Sequence, residues 1–166
     1  MEENLFAGDC IRTFTGIYIN VFEPKIEDID IRDIAHALSN QCRFGGHLPQ
    51  FYSVAQHSLV VSKLLNGSDE LVGLLHDASE AYLLDIPSPI KKKLSNYKEI
   101  EDGLMKVISK KFGFEYPLNE NVKKADAVAL QNEWDYVMLE GKQIVYASPK
   151  EAEKLFLLTF DLLQNA

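Results

Sequence analysis

The run Leu71-Val72-Gly73-Leu74-Leu75-His76-Asp77-Ala78-Ser79-Glu80-Ala81-Tyr82 decides how this chain folds. Its apolar residues are too continuous for a solvated surface, and the pattern predicts one helix taken into a core. A histidine and an aspartate stand side by side within it, and burying both is costly unless something pairs with them. A divalent cation is the natural partner, since its charge offsets the carboxylate and imidazole is a good ligand. The run therefore predicts a helical core with a polar centre.

Helix signals continue on both sides. Ser68-Asp69-Glu70 opens the His-Asp helix. Upstream, Asp30 with Asp33 can cap a helix carrying Ile34, Ala35 and Leu38, and Ser53 can start another carrying Val54, Val61 and Leu64. Downstream, Asn96 and Gly113 bracket a segment with Ile100, Leu104, Val107, Ile108 and Phe112 at helical spacing. Val122 to Glu140 reads as a helix stopped by Gly141, and Ser148-Pro149-Lys150-Glu151 is a capping box with proline at the first helical position. Only Ile11 to Phe22 departs from this. It alternates around Thr15-Gly16, with Ile17, Ile19 and Val21 on one side, and predicts a small hairpin. With no repeat, low-complexity tract or linker, 166 residues fit one domain. The expected architecture is all-α, with a hairpin near residues 11–22 and a helical core over about 30–164.

Composition narrows the function. The chain is 46% hydrophobic and 25% charged, an ordinary globular balance. Seventeen basic against 25 acidic residues give a net charge of −8, so no global positive field attracts a nucleic-acid polymer. Arg12, Arg32 and Arg43 are the only arginines, so a bound phosphate must meet a local cluster or a metal. The acidic start Met1-Glu2-Glu3-Asn4 is followed by no long apolar stretch and resembles neither a signal peptide nor a membrane span. Cys10 and Cys42 are too few and too far apart for a disulfide framework or a thiolate zinc site. A cytoplasmic location without a membrane partner is the expectation.

The candidate chemistry lies on three helices. His57 shares a face with Val54, Val61 and Leu64 and points inward; taken singly it reads as easily as a hydrogen-bonded core histidine. Glu80 follows His76 by four residues and Asp77 by three, which places all three on one side of a helix. Asp126 lies with Val122, Ala129 and Leu130 on an inward face, with Glu133 two turns on. His57, His76, Asp77 and Asp126 can thus converge as ligands. Two imidazoles and two carboxylates suit one divalent transition metal (zinc, manganese, cobalt or iron), with positions left for water and a substrate oxygen. The alternative, unrelated polar groups each satisfied locally, requires several separate burials.

The order His, then His-Asp, then a distant Asp resembles the HD-domain metal-dependent phosphohydrolase superfamily. Cys42-Arg43-Phe44-Gly45-Gly46-His47, Phe51-Tyr52-Ser53-Val54-Ala55-Gln56-His57-Ser58, His76-Asp77-Ala78-Ser79-Glu80-Ala81-Tyr82 and Asp85-Ile86-Pro87-Ser88-Pro89-Ile90-Lys91 look like the branch holding bacterial 5'-deoxynucleotidases and phage deoxynucleoside triphosphohydrolases. The resemblance runs from about Ile29 to Leu139. It implies an all-helical bundle with the metal at its centre, bound by His57, His76, Asp77 and Asp126. It further implies that Glu80 acts on the attacking water, that Arg43 holds phosphate and that Asp85 contacts the sugar hydroxyl. Where the deoxynucleotidases carry tryptophan after the arginine, this chain has Phe44. The implied substrate is a deoxynucleotide cut between the α-phosphorus and the 5'-oxygen, releasing nucleoside plus phosphate or triphosphate. A second, weaker Mg²⁺ is expected with a triphosphate, and a homo-oligomer, dimer or hexamer, is the expected assembly.

Physical chemistry supports these roles and also offers plainer ones. A metal lowers the pKa of bound water from 15.7 toward roughly 7 and polarises a phosphoryl oxygen. Glu80 can take or relay a proton, or can be a solvated helix carboxylate. The planar fork of Arg43 suits phosphate, and equally a surface salt bridge. Lys91 can reach a substrate, whereas Lys92 and Lys93 read as solvated. Phe44, Phe51 and Tyr52 can stack on a base or belong to the core. His47, after two glycines, can touch a triphosphate or close a turn, and His36 receives no role. The competing class is a non-catalytic, metal-stabilised helical module that binds nucleotide or protein; Glu80 and Arg43 weigh against it, since binding without turnover needs neither. A di-iron oxygenase demands further histidine ligands, and a zinc protease demands a His-Glu-x-x-His run that the chain lacks.

Overall fold

Alternating residues near the N-terminus form two short antiparallel strands, β1 (Cys10–Arg12) and β2 (Tyr18–Asn20), with Ile11 opposite Ile19. In this computed structural model, which describes residues 8–142 and 147–165, the fully buried Ile19 fastens the hairpin to the helical core. Asp33 fixes the connecting turn, accepting hydrogen bonds from the Thr15 backbone N–H at 2.7 Å and from its hydroxyl at 2.8 Å. Asp33 is therefore a tertiary clamp, and Asp30 alone caps α1 (Ile31–Asn40) by accepting from the Arg32 N–H.

Capping boxes set the next boundaries, at the two serines where the sequence predicts helix starts. Ser53 and Gln56 open α2 (Val54–Lys63), and Ser148 and Glu151 open α8 (Pro149–Gln164). Between them lie α3 (Asp69–Leu75), α4 (Glu80–Leu83), α5 (Ser88–Lys91), α6 (Tyr97–Phe112) and α7 (Glu120–Asn132). Asn96 and Gly113 bracket α6, both in the left-handed region, and Leu104, Ile108 and Phe112 are its buried stripe. Helix α7 starts two residues before Val122 because the Asn119 side chain accepts from the Asn121 and Val122 N–H groups. Its continuation widens into a π-helical turn, Glu133–Leu139. Leu130, expected to face inward, is 42% exposed.

The decisive run does not stay one helix. Residues 76–79 form a turn between α3 and α4, closed by three-residue bonds from the Ala78 N–H to the Leu75 carbonyl and from the Glu80 N–H to the Asp77 carbonyl. His76 is the physical reason. Its Nδ1 donates to the Gly73 carbonyl at 2.7 Å, the acceptor that an uninterrupted helix would offer to the Asp77 N–H.

Helix α2 is the axis of the molecule. It packs against α1, α3, α7 and α8, while α1 also covers α8 and α4. Ile34, Leu38, Val54, Leu74, Leu75, Leu104, Ile108 and Phe156 fill the shared core. The architecture is all-α with a small hairpin, and no helix among the described residues is long and apolar enough to cross a membrane.

Gly73 allows α2 and α3 to approach. A Cβ there would stand 2.5 Å from Leu65 Cδ1 and 3.2 Å from Ser62 Cα. Leu65 can swing away, but the Ser62 backbone cannot. Alanine would regain about 1 kcal/mol of helix propensity, so a larger residue is the clearer probe. Gly73→Val is expected to destabilise the chain by about 2 kcal/mol through overpacking, lowering Tm by about 4–8 °C. An unchanged thermal midpoint would show that the helices separate freely.

Candidate metal centre

Because α2 touches both α3 and α7, it brings their polar residues to its own histidine. His57, at mid-α2, is fully buried, and His76 follows the last residue of α3. Ligand atoms of His57, His76 and Asp126 lie within 4.8 Å of one another. His57 Nε2 stands 3.1 Å from Asp126 Oδ1, and the two imidazole centroids are 5.2 Å apart. Asp77 closes the group, with Oδ2 at 3.2 Å from His76 Nε2 and 3.8 Å from His57 Nε2. Three of the four predicted ligands thus converge, and Asp77 stands beside them, nearer to His76 than to His57.

Both rings are held from behind. His57 Nδ1 donates to Glu133 Oε1 at 2.6 Å, as His76 Nδ1 does to Gly73. Each Nε2 is thereby turned to the shared point, the arrangement that backs imidazole ligands at metal sites. His76 Nε2 is buried and makes no hydrogen bond, although Asp77 and Asp126 oxygens lie 3.2 and 3.7 Å away. An orphaned ring nitrogen between two carboxylates, in an N₂O₂ set, fits a borderline divalent ion.

The electrostatics agree in direction. Burial opposes charge on His76, but Asp77 and Asp126 outweigh it and raise the imidazole well above its ordinary pKa. The same burial resists ionisation of Asp77, which His76, His57 and Arg43 nonetheless hold far below the usual carboxylate range. Asp126 is lowered likewise against burial, by the two imidazoles. A bound divalent cation would supply positive charge to these carboxylates.

Arg43 is buried at the start of a 3₁₀ turn, Arg43–Gly46. Its Nε and Nη2 donate to Glu133 Oε2 at 3.4 and 3.2 Å, and Nη1 donates to Asp85 Oδ2 at 3.3 Å. The same Nη1 is 3.9 Å from Asp77 Oδ2. Its surroundings are a buried carboxylate lattice rather than a surface pair. Phe44 takes a left-handed backbone (φ 55°) and sets its ring 5.8 Å from the guanidinium carbon and 6.4 Å from the Trp134 ring. Leu48, Tyr52 and Val137 pack with it, so Tyr52 follows the core reading.

Glu80 sits beside this lattice. Burial, reinforced by the Asp77 and Asp85 charges and only partly offset by Lys91 and Arg43, pushes its carboxyl up to about 9. Oε1 accepts from Lys91 Nζ at 3.3 Å, while Oε2 is buried with no partner. Lys91 also donates to Glu101 at 2.9 Å, whereas Lys92 and Lys93 are exposed. Asp85 is raised mainly by burial, and its backbone N–H donates to Gln41 Oε1, whose amide donates in turn to the Glu80 carbonyl. Gln41 thus pins the two loop segments together.

His47 is exposed on the turn, its N–H donating to the Phe44 carbonyl. His36 lies apart, stacked on Phe14 at 3.8 Å and 3.0 Å from Glu153. Glu133, Gln41 and the Gly73 carbonyl were given no part by the sequence reading. For Glu133 the signal was its seven-residue spacing from Asp126; the other two gave none.

No family model matches the chain. It is 44% identical over 123 residues to the uncharacterized protein YfdR of Escherichia coli (strain K12), covering 74% of this chain and 69% of that protein. It is 33% identical over 159 residues to an uncharacterized protein of Rhodobacter capsulatus, covering 87% of this chain and 78% of that protein. With identities of this size over most of each sequence, the chain belongs to the same family as YfdR.

Proposed function

We propose that this protein is an HD-domain metal-dependent phosphohydrolase that cuts deoxynucleotides between the α-phosphorus and the 5'-oxygen. The observation that carries the reading is the pair of imidazoles with Nδ1 anchored and Nε2 converging on Asp77 and Asp126. His57, His76, Asp77 and Asp126 would hold one transition metal, with a weaker Mg²⁺ joining a triphosphate. When bound, the metal lowers the pKa of water and polarises the phosphoryl oxygen.

The chain's own groups do the rest. Glu80, whose Oε2 has no partner and whose carboxyl, pushed up to about 9, holds its proton at neutral pH, can give that proton to the departing 5'-oxygen and regain one from the water attacking phosphorus. Lys91 steadies the other Glu80 oxygen. Arg43 presents fixed N–H donors beside Asp77 and Asp85 and can exchange a carboxylate partner for a phosphate oxygen. Release of nucleoside plus phosphate or triphosphate uses the same cut. A cytoplasmic location with no nucleic-acid polymer as partner accords with the net charge of −8 and two free cysteines, and a homo-oligomer is the assembly that the family resemblance implies.

The test is a panel of all four deoxynucleotides and ribonucleotides as mono- and triphosphates, with each transition metal and product identification. No turnover of any would leave a metal-stabilised binding module. Within the panel, Asp85 is expected to receive the sugar hydroxyl beside Phe44, and a ribose 2'-OH would be crowded or left unpaired. That disfavours ribonucleotides by about 1–3 kcal/mol, or about 5- to 150-fold in kcat/KM. The preference should weaken in Asp85→Ala. Equal kcat/KM for dATP and ATP, and for dAMP and AMP, would refute the deoxynucleotide assignment while leaving phosphate-ester hydrolysis intact.

A further inference from the structure

We infer that Glu133 is a positioning residue that locks His57 in its ligand tautomer and registers Arg43 against the same centre; this rests on the metal-centre reading above. Glu133 is 2% exposed and opens the π-helical turn after α7, a widened helix of the kind that often marks functional sites. Its two oxygens do different work. Oε1 takes the His57 Nδ1–H at 2.6 Å, and Oε2 takes Arg43 Nε and Nη2 at 3.4 and 3.2 Å. The carboxylate thus spans the metal ligand of α2 and the guanidinium of the Arg43 turn.

Only an acceptor at both ends fits this place. Arg43 has no acceptor and cannot reverse its role. His57 can, by moving its ring proton from Nδ1 to Nε2, but Nε2 is the atom aimed at Asp126 and Asp77. A neutral amide at position 133 has one acceptor and one donor end. If its oxygen meets Arg43, its NH₂ faces His57 Nδ1 and favours the tautomer that cannot ligate. If its oxygen meets His57, its NH₂ faces the guanidinium N–H groups. Glu133→Gln therefore perturbs the site through hydrogen-bond polarity at nearly constant volume.

A carboxylate that merely neutralises buried Arg43 would behave differently, since its loss would lower thermal stability without touching metal affinity. The experiment measures zinc affinity by competition with a chromophoric chelator, together with ¹⁵N-NMR of the imidazole nitrogens in zinc-loaded protein. Wild type is expected to show His57 with a proton on Nδ1 and zinc on Nε2. Glu133→Gln is expected to bind zinc about 10- to 100-fold more weakly, the size typical of losing a carboxylate behind a ligand histidine. Unchanged zinc affinity in a folded Glu133→Gln would overturn the inference and leave the metal centre standing. Should that variant not fold, the wild-type spectrum decides alone, because a proton on His57 Nε2 in the zinc-loaded state contradicts the role. Wild type that binds no zinc removes the metal reading and this inference together.

Discussion

Glu80→Gln is expected to fold, to keep its metal and to lose on the order of 10² or more in kcat, the contribution of a positioned proton-transfer group. The substitution is nearly isosteric. Its amide oxygen can still accept from Lys91 Nζ, and its NH₂ fills the position where Oε2 has no partner. What disappears is the proton that the carboxyl can release and regain. Stability supplies a second, independent readout in metal-free protein. The folded carboxyl titrates near 9 against an ordinary 4.5, so between those pH values the folded chain holds a proton that the unfolded chain has lost. Wild-type stability must therefore fall as pH rises across that window, whereas glutamine does not titrate. The difference in Tm, variant minus wild type, should grow from pH 5 to pH 8. A variant as fast as wild type would make Glu80 a structural carboxyl and remove it from the chemistry.

What could be read from the chain and what could not divide along one physical line. The convergence of His57, His76 and Asp126 was legible because a histidine or carboxylate set among core-facing residues is unfavourable unless paired. The capping box at Ser148 was legible because both partners lie within one turn, and Ser53 was legible as a helix start. The break after Leu75 was not, since the apolar pattern of the run reads as one helix and the competing bond joins a side chain to a backbone carbonyl. Glu133 stayed unassigned for a related reason. Its partners come from the α2 histidine and from a turn 90 residues away in sequence, and only tertiary packing brings them together. The inward reading of Leu130 failed where α7 approaches its π-helical turn. Asp33, a plausible cap by position, is claimed instead by the hairpin.

Purified protein is expected to carry about one transition metal per chain, and chelation is expected to lower its Tm by about 8–16 °C. A ligand at a thousandfold excess over its Kd stabilises the folded state by about 4 kcal/mol, and a chain of this size shifts by about 2–4 °C per kcal/mol. Removing the ion leaves His76 Nε2 without a hydrogen bond and two carboxylates facing the same point. Asp77→Ala is the sharper substitution. Replacing His57 would strand Glu133 and Arg43 and unsettle the core whether or not a metal binds. The Asp77 side chain is 21% exposed, and Arg43 keeps Glu133 and Asp85 when it is gone. Asp77→Ala should thus remain folded, retain metal far below one per chain after dialysis, and show a Tm that a chelator no longer moves. Elemental analysis finding no metal in wild type, or the same content in Asp77→Ala, would mean that these four side chains are paired with one another for structural reasons alone.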